Sequence, residues 1–221
     1  MKVLFLVPEP FFVIRGSSVT VRAWIRTLTE AGHKVDMICH PEGRDEDLGA
    51  ATVRRTWSCA GSLLLRDLCM FFVAAAMCIR TRYDVIHALN QSAVSAVLLK
   101  RLFKLRVVYD LDLDPAEVFG DGARLTRGLR SAAAGRLERS VLKRADAVVV
   151  SSATRAERAR AAGAVAKVEE IDDPPYDCPM GENRDGGVQL RQELGIGTAP
   201  VVLYTGSFAD SQQMDILLRA A

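Results

Sequence analysis

The first 39 residues of the chain, MKVLFLVPEPFFVIRGSSVTVRAWIRTLTEAGHKVDMIC (residues 1–39), decide the fold. Val3–Val7 is a continuous apolar run, which is typical of a strand buried on both faces of a parallel sheet. A helix follows, for which Ser17 or Ser18 can supply the cap. Val35–Cys39 is the next short apolar strand. A strand, a helix and a second strand in this order predict a right-handed βαβ unit.

The same alternation of short apolar runs and helical patterns continues along the chain. Further strands are predicted at Thr52–Trp57, Asp84–Ala88, Arg106–Leu111, Ala147–Ser151 and Ala166–Ile171. Further helices are predicted at Leu63–Arg80, Ser92–Lys104, Arg124–Arg144 and Thr154–Ala162. The pattern therefore predicts an α/β fold, a Rossmann-like doubly wound parallel sheet.

The end of the chain has the pattern of a second unit. Asp172–Gly187 is rich in Pro, Gly and Asp, which is typical of an exposed connection. After a short helix, Val201–Tyr204 is a fresh apolar strand, and a helix opens near Asp210. We expect residues 1–187 to form the first domain. Residues 188–221 are then a linker helix and the first βα unit of a truncated second domain.

Composition excludes several classes of protein. Hydrophobic residues make up 49% and charged residues 25% of the 221 residues, which is globular usage, and a net charge of +2 does not require nucleic acid. The five cysteines include no CxxC pair, so neither a zinc site nor a disulfide framework is indicated. The longest apolar run, Leu68–Ile79, is too short to span a bilayer. We expect a cytoplasmic protein that needs no metal.

A glycine loop follows the first predicted strand and leads into the N-terminus of a helix. It consists of Arg15, Gly16, Ser17 and Ser18. Backbone N–H groups at such a terminus can face an anion, so a phosphate or diphosphate is one interpretation. A tight turn that needs glycine is the other. The sequence contains neither GxGxxG nor GxxxxGK[ST], which argues against a dinucleotide fold and a P-loop.

A second loop of the same kind, Thr205-Gly206-Ser207, follows the strand predicted at Val201–Tyr204. Two strand–glycine–helix loops, one in each α/β unit, suggest a ligand held between two domains. A plain turn explains the second loop equally simply.

Polar residues lie at the carboxyl ends of the fourth and fifth predicted strands. Open parallel sheets bind their ligands at this edge. The histidine could contact a ligand hydroxyl, or it could be a buried histidine with satisfied hydrogen bonds. The aspartates could bind sugar hydroxyls, act as a base or hold a divalent cation, and strand-end capping is their structural alternative. The residues are His87, Asn90, Asp110, Asp112, Asp114 and Glu117.

Two helices bear on membrane contact. Arg124–Arg144 contains seven Arg or Lys residues and only one Glu. Its basic face could contact anionic lipid or a phosphorylated acceptor, or it could simply be solvated. The apolar helix Leu63–Ile79 is expected to be core on most of its surface, with membrane-surface contact as the alternative.

Several motifs in order resemble one family. They are the opening segment (residues 1–39), YDVIHALN (83–90), RVVYDLDLD (106–114), LERSVLKRADAVVVSSATRAER (137–158), EIDDPPYD (170–177) and LRQELGI…PVVLYTGSF (190–208). Together they resemble the N-terminal domain of glycosyltransferase family 4 (glycosyl transferases group 1), of GT-B type, with the start of the C-terminal domain. The likeness covers essentially the whole chain.

This resemblance implies two facing Rossmann-like domains that transfer a sugar from a nucleotide-sugar to an acceptor hydroxyl, usually with retention. No cofactor is implied, since the nucleotide-sugar is a substrate, and metal is usually not required. Arg15 to Ser18 would approach the donor diphosphate or sugar, and Gly206 with Ser207 would lie beside the diphosphate. His87, Asp110 and Asp112 would be catalytic, with Asn90 and Glu117 on the acceptor side.

Two departures from the family pattern matter. Asp112 stands where many members have a histidine thought to contact the transferred sugar. Most of the second domain is also missing, so we expect an incomplete chain that is inactive alone. Surface polysaccharide or glycolipid synthesis, on the cytoplasmic face of an anionic membrane, is the expected setting. The alternatives are a non-catalytic acceptor- or partner-binding module completed by a separate second half, and an epimerase, which the missing GxGxxG disfavours.

Overall fold

The computed structural model describes most of the chain, in two compact units. The described residues are 1–12, 16–43, 47–58, 63–112, 124–172, 184–204 and 214–220. The units are Met1–Pro174 and Pro175–Ala221. The domain boundary at residues 187/188 stays a prediction.

The first unit contains one sheet of seven strands. The strands are β1 (Lys2–Val7), β2 (Lys34–Cys39), β3 (Thr52–Arg55), β4 (Val85–Leu89), β5 (Arg106–Leu111), β6 (Ala147–Val150) and β7 (Lys167–Glu170). Their order is β3-β2-β1-β4-β5-β6-β7, and every neighbouring pair is parallel. This confirms the prediction of an α/β, Rossmann-like doubly wound sheet.

Helices connect these strands. They are α1 (Gly16–Glu30), α2 (Leu63–Arg80), α3 (Ser92–Phe103), α4 (Arg124–Leu142) and α5 (Ala153–Ala161). Gly32, with φ 78°, adopts the left-handed conformation after α1 that favours glycine at the end of a helix.

Alternate residues of each strand point to opposite faces of the sheet, and each face has its own core. On one face, Phe5 of β1 belongs to the same buried cluster as Ile25 of α1. On the other face, Leu6 of β1 shares a cluster with Met70 of α2 and Leu99 of α3. Helices on both faces explain why the strands are almost continuously apolar.

The strand order reverses between β1 and β4. From β1 the chain proceeds to β2 and β3 on one side, and from β4 to β5, β6 and β7 on the other. The crevice outside the carboxyl ends of such strands is where doubly wound sheets bind ligands. The carboxyl ends of β1, β4 and β5, after which the sequence predicts the site residues, border this crevice.

The second unit contains two helices among its described residues, α6 (Arg184–Glu193) and α7 (Met214–Ala220). The strand predicted at Val201–Tyr204 is wrong for this structure. Val202 and Leu203 are 77% and 81% exposed, and no described residue pairs with the segment. An apolar run becomes a strand only where a neighbouring strand accepts and donates its backbone hydrogen bonds. The helix start near Asp210 lies outside the described residues.

Two further predictions about the first unit need correction. The third strand ends at Arg55, and Trp57, predicted within it, is 68% exposed. Helix α2 has the predicted bounds, but it is not core on most of its surface, because Leu64, Phe72 and Ile79 are all more than half exposed. No helix among the described residues is long and apolar enough to cross a membrane.

Candidate functional site

A buried histidine–carboxylate pair joins the ends of two central strands. His87 of β4 and Asp110 of β5 have side chains that are only 6% and 12% exposed. Nε2 of His87 lies 3.0 Å from Oδ2 of Asp110, and because an ionised carboxylate only accepts, the histidine donates. The parallel pairing of β4 with β5 brings these residues together although 23 positions separate them.

Aromatic rings fix the orientation of this histidine. The ring of Phe5 stacks on His87 at a centroid distance of 4.5 Å and an interplanar angle of 17°. The indole of Trp24 in α1 lies 5.5 Å away at a tilt of 53°. Because the imidazole is held between two rings and one carboxylate, the Asp110 carboxylate is held in one orientation.

Asn90 connects the loop after β4 to the end of β5. Its backbone has φ 47°, a left-handed conformation that asparagine tolerates better than most residues. Its N–H donates to the carbonyl of Asp110 at 2.9 Å, and its Oδ1 accepts from the N–H of Asp112 at 3.2 Å. Asn90 is buried, and its two hydrogen bonds hold the backbone at the end of β5, which positions the two aspartates.

Asp112 has a different partner from Asp110. Nη1 of Arg155, in the first turn of α5, lies 3.3 Å from Oδ1 of Asp112, and both side chains are about one-third exposed. The same guanidinium donates to Oγ of Ser151 at 2.8 Å. Ser152 caps α5 by accepting from the N–H of Arg155, which fixes the start of that helix. Asp112 is thus an accessible carboxylate neutralised by one cation.

These residues border a cleft between α1 and the carboxyl ends of β4 to β7. Its volume is about 240 Å³, just below the roughly 300–1,000 Å³ of pockets for drug-sized ligands. Apolar side chains, among them Trp24, Leu89 and Val149, supply most of its lining surface. The polar lining residues are Ser17, Thr20, Thr27, Asp110, Asp112, Ser151 and Asp172.

The polar groups of the cleft can form hydrogen bonds with ligand hydroxyl groups. Carboxylates accept hydrogen bonds from hydroxyl groups, serine and threonine hydroxyls both donate and accept, and an indole face packs against C–H bonds. The N-terminus of α1 begins at Gly16, so Ser17 places one end of the cleft beside the positive end of a helix dipole. Such groups are able to bind a hydroxylated ligand that carries an anionic group at one end.

The structure brings together part of the predicted site. Asp110, Asp112 and Ser17 line the cleft, while His87 and Asn90 hold the two aspartates from behind. Ser18 is fully buried in the first turn of α1 and does not line the cleft. The remaining predicted residues, Arg15, Asp114, Glu117, Gly206 and Ser207, lie outside the described residues, and of Gly16 only the backbone is described.

Sequence reasoning missed Arg155 and the face of α1 that carries Thr20 and Trp24. Arg155 stands 43 positions from Asp112, in a segment that the sequence predicts only as a helix. A signal did exist for α1: Trp24 recurs at helical spacing after Ser17 and Thr20, on the side that follows the glycine loop. Among the described residues, no group of three His, Cys, Asp or Glu side chains is arranged to hold a metal ion.

A titratable group lies behind the site, on the opposite face of the sheet. Burial raises the pKa of Asp67 in α2 to about 6, and a hydrogen bond from Gln91 opposes this shift. Gln91 follows Asn90 directly, so the same loop contacts the cleft aspartates on one side and Asp67 on the other.

Comparison with solved structures defines the class of protein. Sucrose-phosphate synthase from Thermosynechococcus elongatus matches 100% of this chain at a TM-score of 0.77 and 17% identity. The lipopolysaccharide outer core galactosyltransferase WaaB in its apo form matches 79% at 0.55 and 13% identity. UGT89C1 of Arabidopsis thaliana, complexed with UDP-L-rhamnose, matches 90% at 0.54 and 9% identity. The fold is the N-terminal half of the GT-B architecture.

The family follows from a direct match of the sequence. The model of the family described as "Glycosyl transferase 4-like domain" matches residues 15–171, well over half of the chain. The chain belongs to this family, which confirms the resemblance inferred from the motifs. It spans 59% of the length of sucrose-phosphate synthase and 46% of WaaB. No curated protein matches the sequence significantly.

Proposed function

We propose that this chain forms the acceptor-side part of a glycosyltransferase that moves a sugar from a nucleotide-sugar to an acceptor hydroxyl. The observation that supports the proposal most strongly is the pair of oriented carboxylates, Asp110 and Asp112, in one cleft at the switch point of the sheet. Family membership supports glycosyl transfer as the general class of reaction.

The two aspartates have different roles in this proposal. Asp110, held by His87, accepts a hydrogen bond from the acceptor hydroxyl and orients its oxygen toward the anomeric carbon. Asp112 binds a further hydroxyl of the transferred sugar, and the contact with Arg155 holds that carboxylate in place. Asp112 would thus replace the family's usual histidine as a sugar contact, with a hydrogen-bond acceptor instead of an imidazole.

The N-terminus of α1 is the proposed anion end of the cleft. Negative charge develops on the departing diphosphate during transfer, and oriented N–H groups stabilise it. Gly16 starts the helix at this point and Ser17 lines the cleft, so both would face the donor phosphates. UGT89C1 carries UDP-L-rhamnose, and a related transferase from Siraitia grosvenorii carries UDP, which favours a nucleotide-sugar donor here. In this proposal the anomeric configuration is retained.

The setting that we propose is polysaccharide or glycolipid assembly in the cytoplasm. WaaB, one of the structural matches, is described as a lipopolysaccharide outer core galactosyltransferase.

The test is ligand binding measured by saturation-transfer NMR on the chain as it stands. The ligands are UDP-, GDP- and ADP-sugars and a panel of methyl glycosides as acceptor mimics. We expect at least one glycoside to bind, and Asp112→Asn to weaken it by about tenfold, the effect of one charged hydrogen bond. Glu157→Gln, an exposed change of the same charge on α5, is the matched control and should bind like the unaltered chain.

Two results would contradict the proposal. One is that neither class of ligand binds the unaltered chain. The other is that Glu157→Gln weakens binding as much as Asp112→Asn, which would show a general charge effect. Phosphorus NMR of the same mixtures measures nucleoside diphosphate release, and glycoside binding without release identifies a binding module that needs a second half for transfer.

A further inference from the structure

An apolar surface covers the outside of α2 and α3, away from the cleft. These helices pack side by side on one face of the sheet. Their buried residues, such as Met70 and Leu99, face the sheet, so their exposed residues face outward. The exposed apolar residues define what we call the α2–α3 outer surface: Leu64, Leu68, Phe72 and Ile79 of α2, with Leu98 and Leu102 of α3.

The exposure of this surface is large. Phe72, Ile79 and Leu102 are 60%, 75% and 67% exposed. The spacings within α2, four, four and seven residues, put its members on one helical face, and Leu98 and Leu102 are four apart on α3. Scattered exposed apolar side chains are ordinary, but a contiguous row on two adjacent helices marks an interaction surface.

Positive charge borders the same surface. Arg80 ends α2 and Arg82 follows it, while Arg101 lies in the last turn of α3 and Lys104 caps that helix. All four side chains are exposed, and none forms an ion pair with a described residue. The one acidic residue within α2 and α3 is Asp67, which is half-buried. The border is therefore cationic.

We propose that the α2–α3 outer surface binds an anionic lipid bilayer, with both helices lying in the plane of the membrane interface. Leucine, isoleucine and phenylalanine side chains enter the boundary between headgroups and acyl chains, and arginine and lysine contact the anionic headgroups. A second copy of this chain fits less well, because a symmetric contact of the surface with itself would bring two cationic borders together.

This proposal is independent of the sugar chemistry. The sequence leaves lipid contact open for the basic face of α4, and for α2 it favours core, with membrane-surface contact as the alternative. In the structure α2 supplies both requirements of an interfacial helix, an apolar face and basic residues at its end.

The test is sedimentation of the chain with sucrose-loaded vesicles of pure phosphatidylcholine and of phosphatidylcholine mixed with phosphatidylglycerol. We expect binding to the mixed vesicles that weakens as salt is added. Phe72→Ser with Ile79→Ser should lower that binding by at least about tenfold, because the apolar anchors are lost. Arg80→Gln with Arg101→Gln should lower it by about tenfold or more, with little change on pure phosphatidylcholine.

The control replaces apolar residues of similar exposure elsewhere. Val165→Ser, at a site 80% exposed, with Leu137→Ser, at a site 48% exposed, should bind the mixed vesicles as the unaltered chain does. Circular dichroism of each variant verifies the fold. No binding of the unaltered chain to mixed vesicles would overturn the proposal, as would equal loss in the control.

Light scattering after size exclusion addresses the second copy directly. We expect a monomer whose mass Phe72→Ser with Ile79→Ser leaves unchanged. A dimer that this pair of substitutions converts to a monomer would show that another copy covers the surface, and it would overturn the membrane assignment.

Discussion

The cleft and the α2–α3 outer surface are both exceptions to the usual distribution of side chains. The cleft region buries polar side chains, and the outer surface exposes apolar ones. At the cleft, Asp110 and its partner His87, which lies behind the lining, are polar, and their side chains are only 12% and 6% exposed. On the outer surface, Phe72 and Ile79 are apolar and 60% and 75% exposed. Buried polar groups and exposed apolar patches are the informative exceptions to the rule of apolar interiors.

The difference lies in the partners. Each buried polar group of the cleft has a partner within the first unit, so its burial is compensated in the isolated chain. The apolar side chains of the outer surface have no such compensation from the described residues, so their exposure is relieved only by a second molecule or a membrane. Substitution of the buried pair His87 and Asp110 should therefore change stability, and substitution on the outer surface should change binding.

The largest loss of unfolding free energy is expected from Asp110→Ala. This change leaves Nε2 of His87 buried without an acceptor, which costs about 1–3 kcal/mol of unfolding free energy. Urea denaturation followed by circular dichroism measures it. His87→Phe combined with Asp110→Ala should recover much of the loss, since the stacking on Phe5 is kept and both polar partners are gone. If the double variant is less stable than the single one, compensation by the pair is not the explanation.

A pH effect on stability is expected from Asp67, a buried carboxyl group whose partner is the neutral side chain of Gln91. Its pKa rises from 3.8 to about 6 on folding, so the folded chain binds more protons in that window. The free energy of unfolding should therefore fall as pH rises from about 4 to about 6, and stay lower above it. Asp67→Asn should raise stability at neutral pH by about 1 kcal/mol and flatten this profile.

Thermal unfolding at a series of pH values checks this prediction. Glu157→Gln, an exposed acid on α5, should keep the profile of the unaltered chain. An Asp67→Asn variant whose profile still declines between the same pH values would assign the decline to another group.

A smaller effect on stability is expected from Asp112→Asn. The ion pair with Arg155 is about one-third exposed on both sides, and pairs of this kind contribute about 0–1 kcal/mol. Ligand affinity should fall much more than stability does, which denaturation and NMR titration of the same sample would show together. A large loss of stability with unchanged affinity would make Asp112 a structural residue.

The smallest effect on stability is expected from the outer surface. Phe72→Ser with Ile79→Ser removes little buried area, so unfolding free energy should change by about 0.5 kcal/mol or less per site. Denaturation midpoints test this. A loss of several kcal/mol would show that these side chains are packed in solution and that the surface is not open.

The order of strands and helices could be predicted from the sequence because it rests on local patterns. The run Arg106–Leu111 and the helix Leu63–Arg80 have the predicted bounds, since apolar runs, capping residues and glycines act over a few positions. The positions of Asp110 and Asp112 at the carboxyl end of β5 followed from the same patterns, because parallel strands put their carboxyl ends on one edge of the sheet.

The pairing within the site could not be predicted. His87 contacts Asp110 across 23 positions because β4 pairs with β5. Arg155 contacts Asp112 across 43 positions because α5 follows β6, which pairs with β5. The wrong strand at Val201–Tyr204 has the converse cause: its local pattern is apolar, but strand formation depends on a partner strand. For α2 the sequence favours core and leaves membrane-surface contact as the alternative, because an apolar helix has the same pattern in either environment.

Fluorescence of Trp24 tests the central claim, that the cleft binds a sugar, most directly. The chain has two tryptophans, so Trp57→Phe leaves the indole that lines the cleft as the single reporter. Titration with methyl glycosides and nucleotide-sugars should give a saturable change in emission that Asp112→Asn weakens and Glu157→Gln does not. Emission that stays constant with every ligand, or that changes equally in Asp112→Asn, would contradict the account.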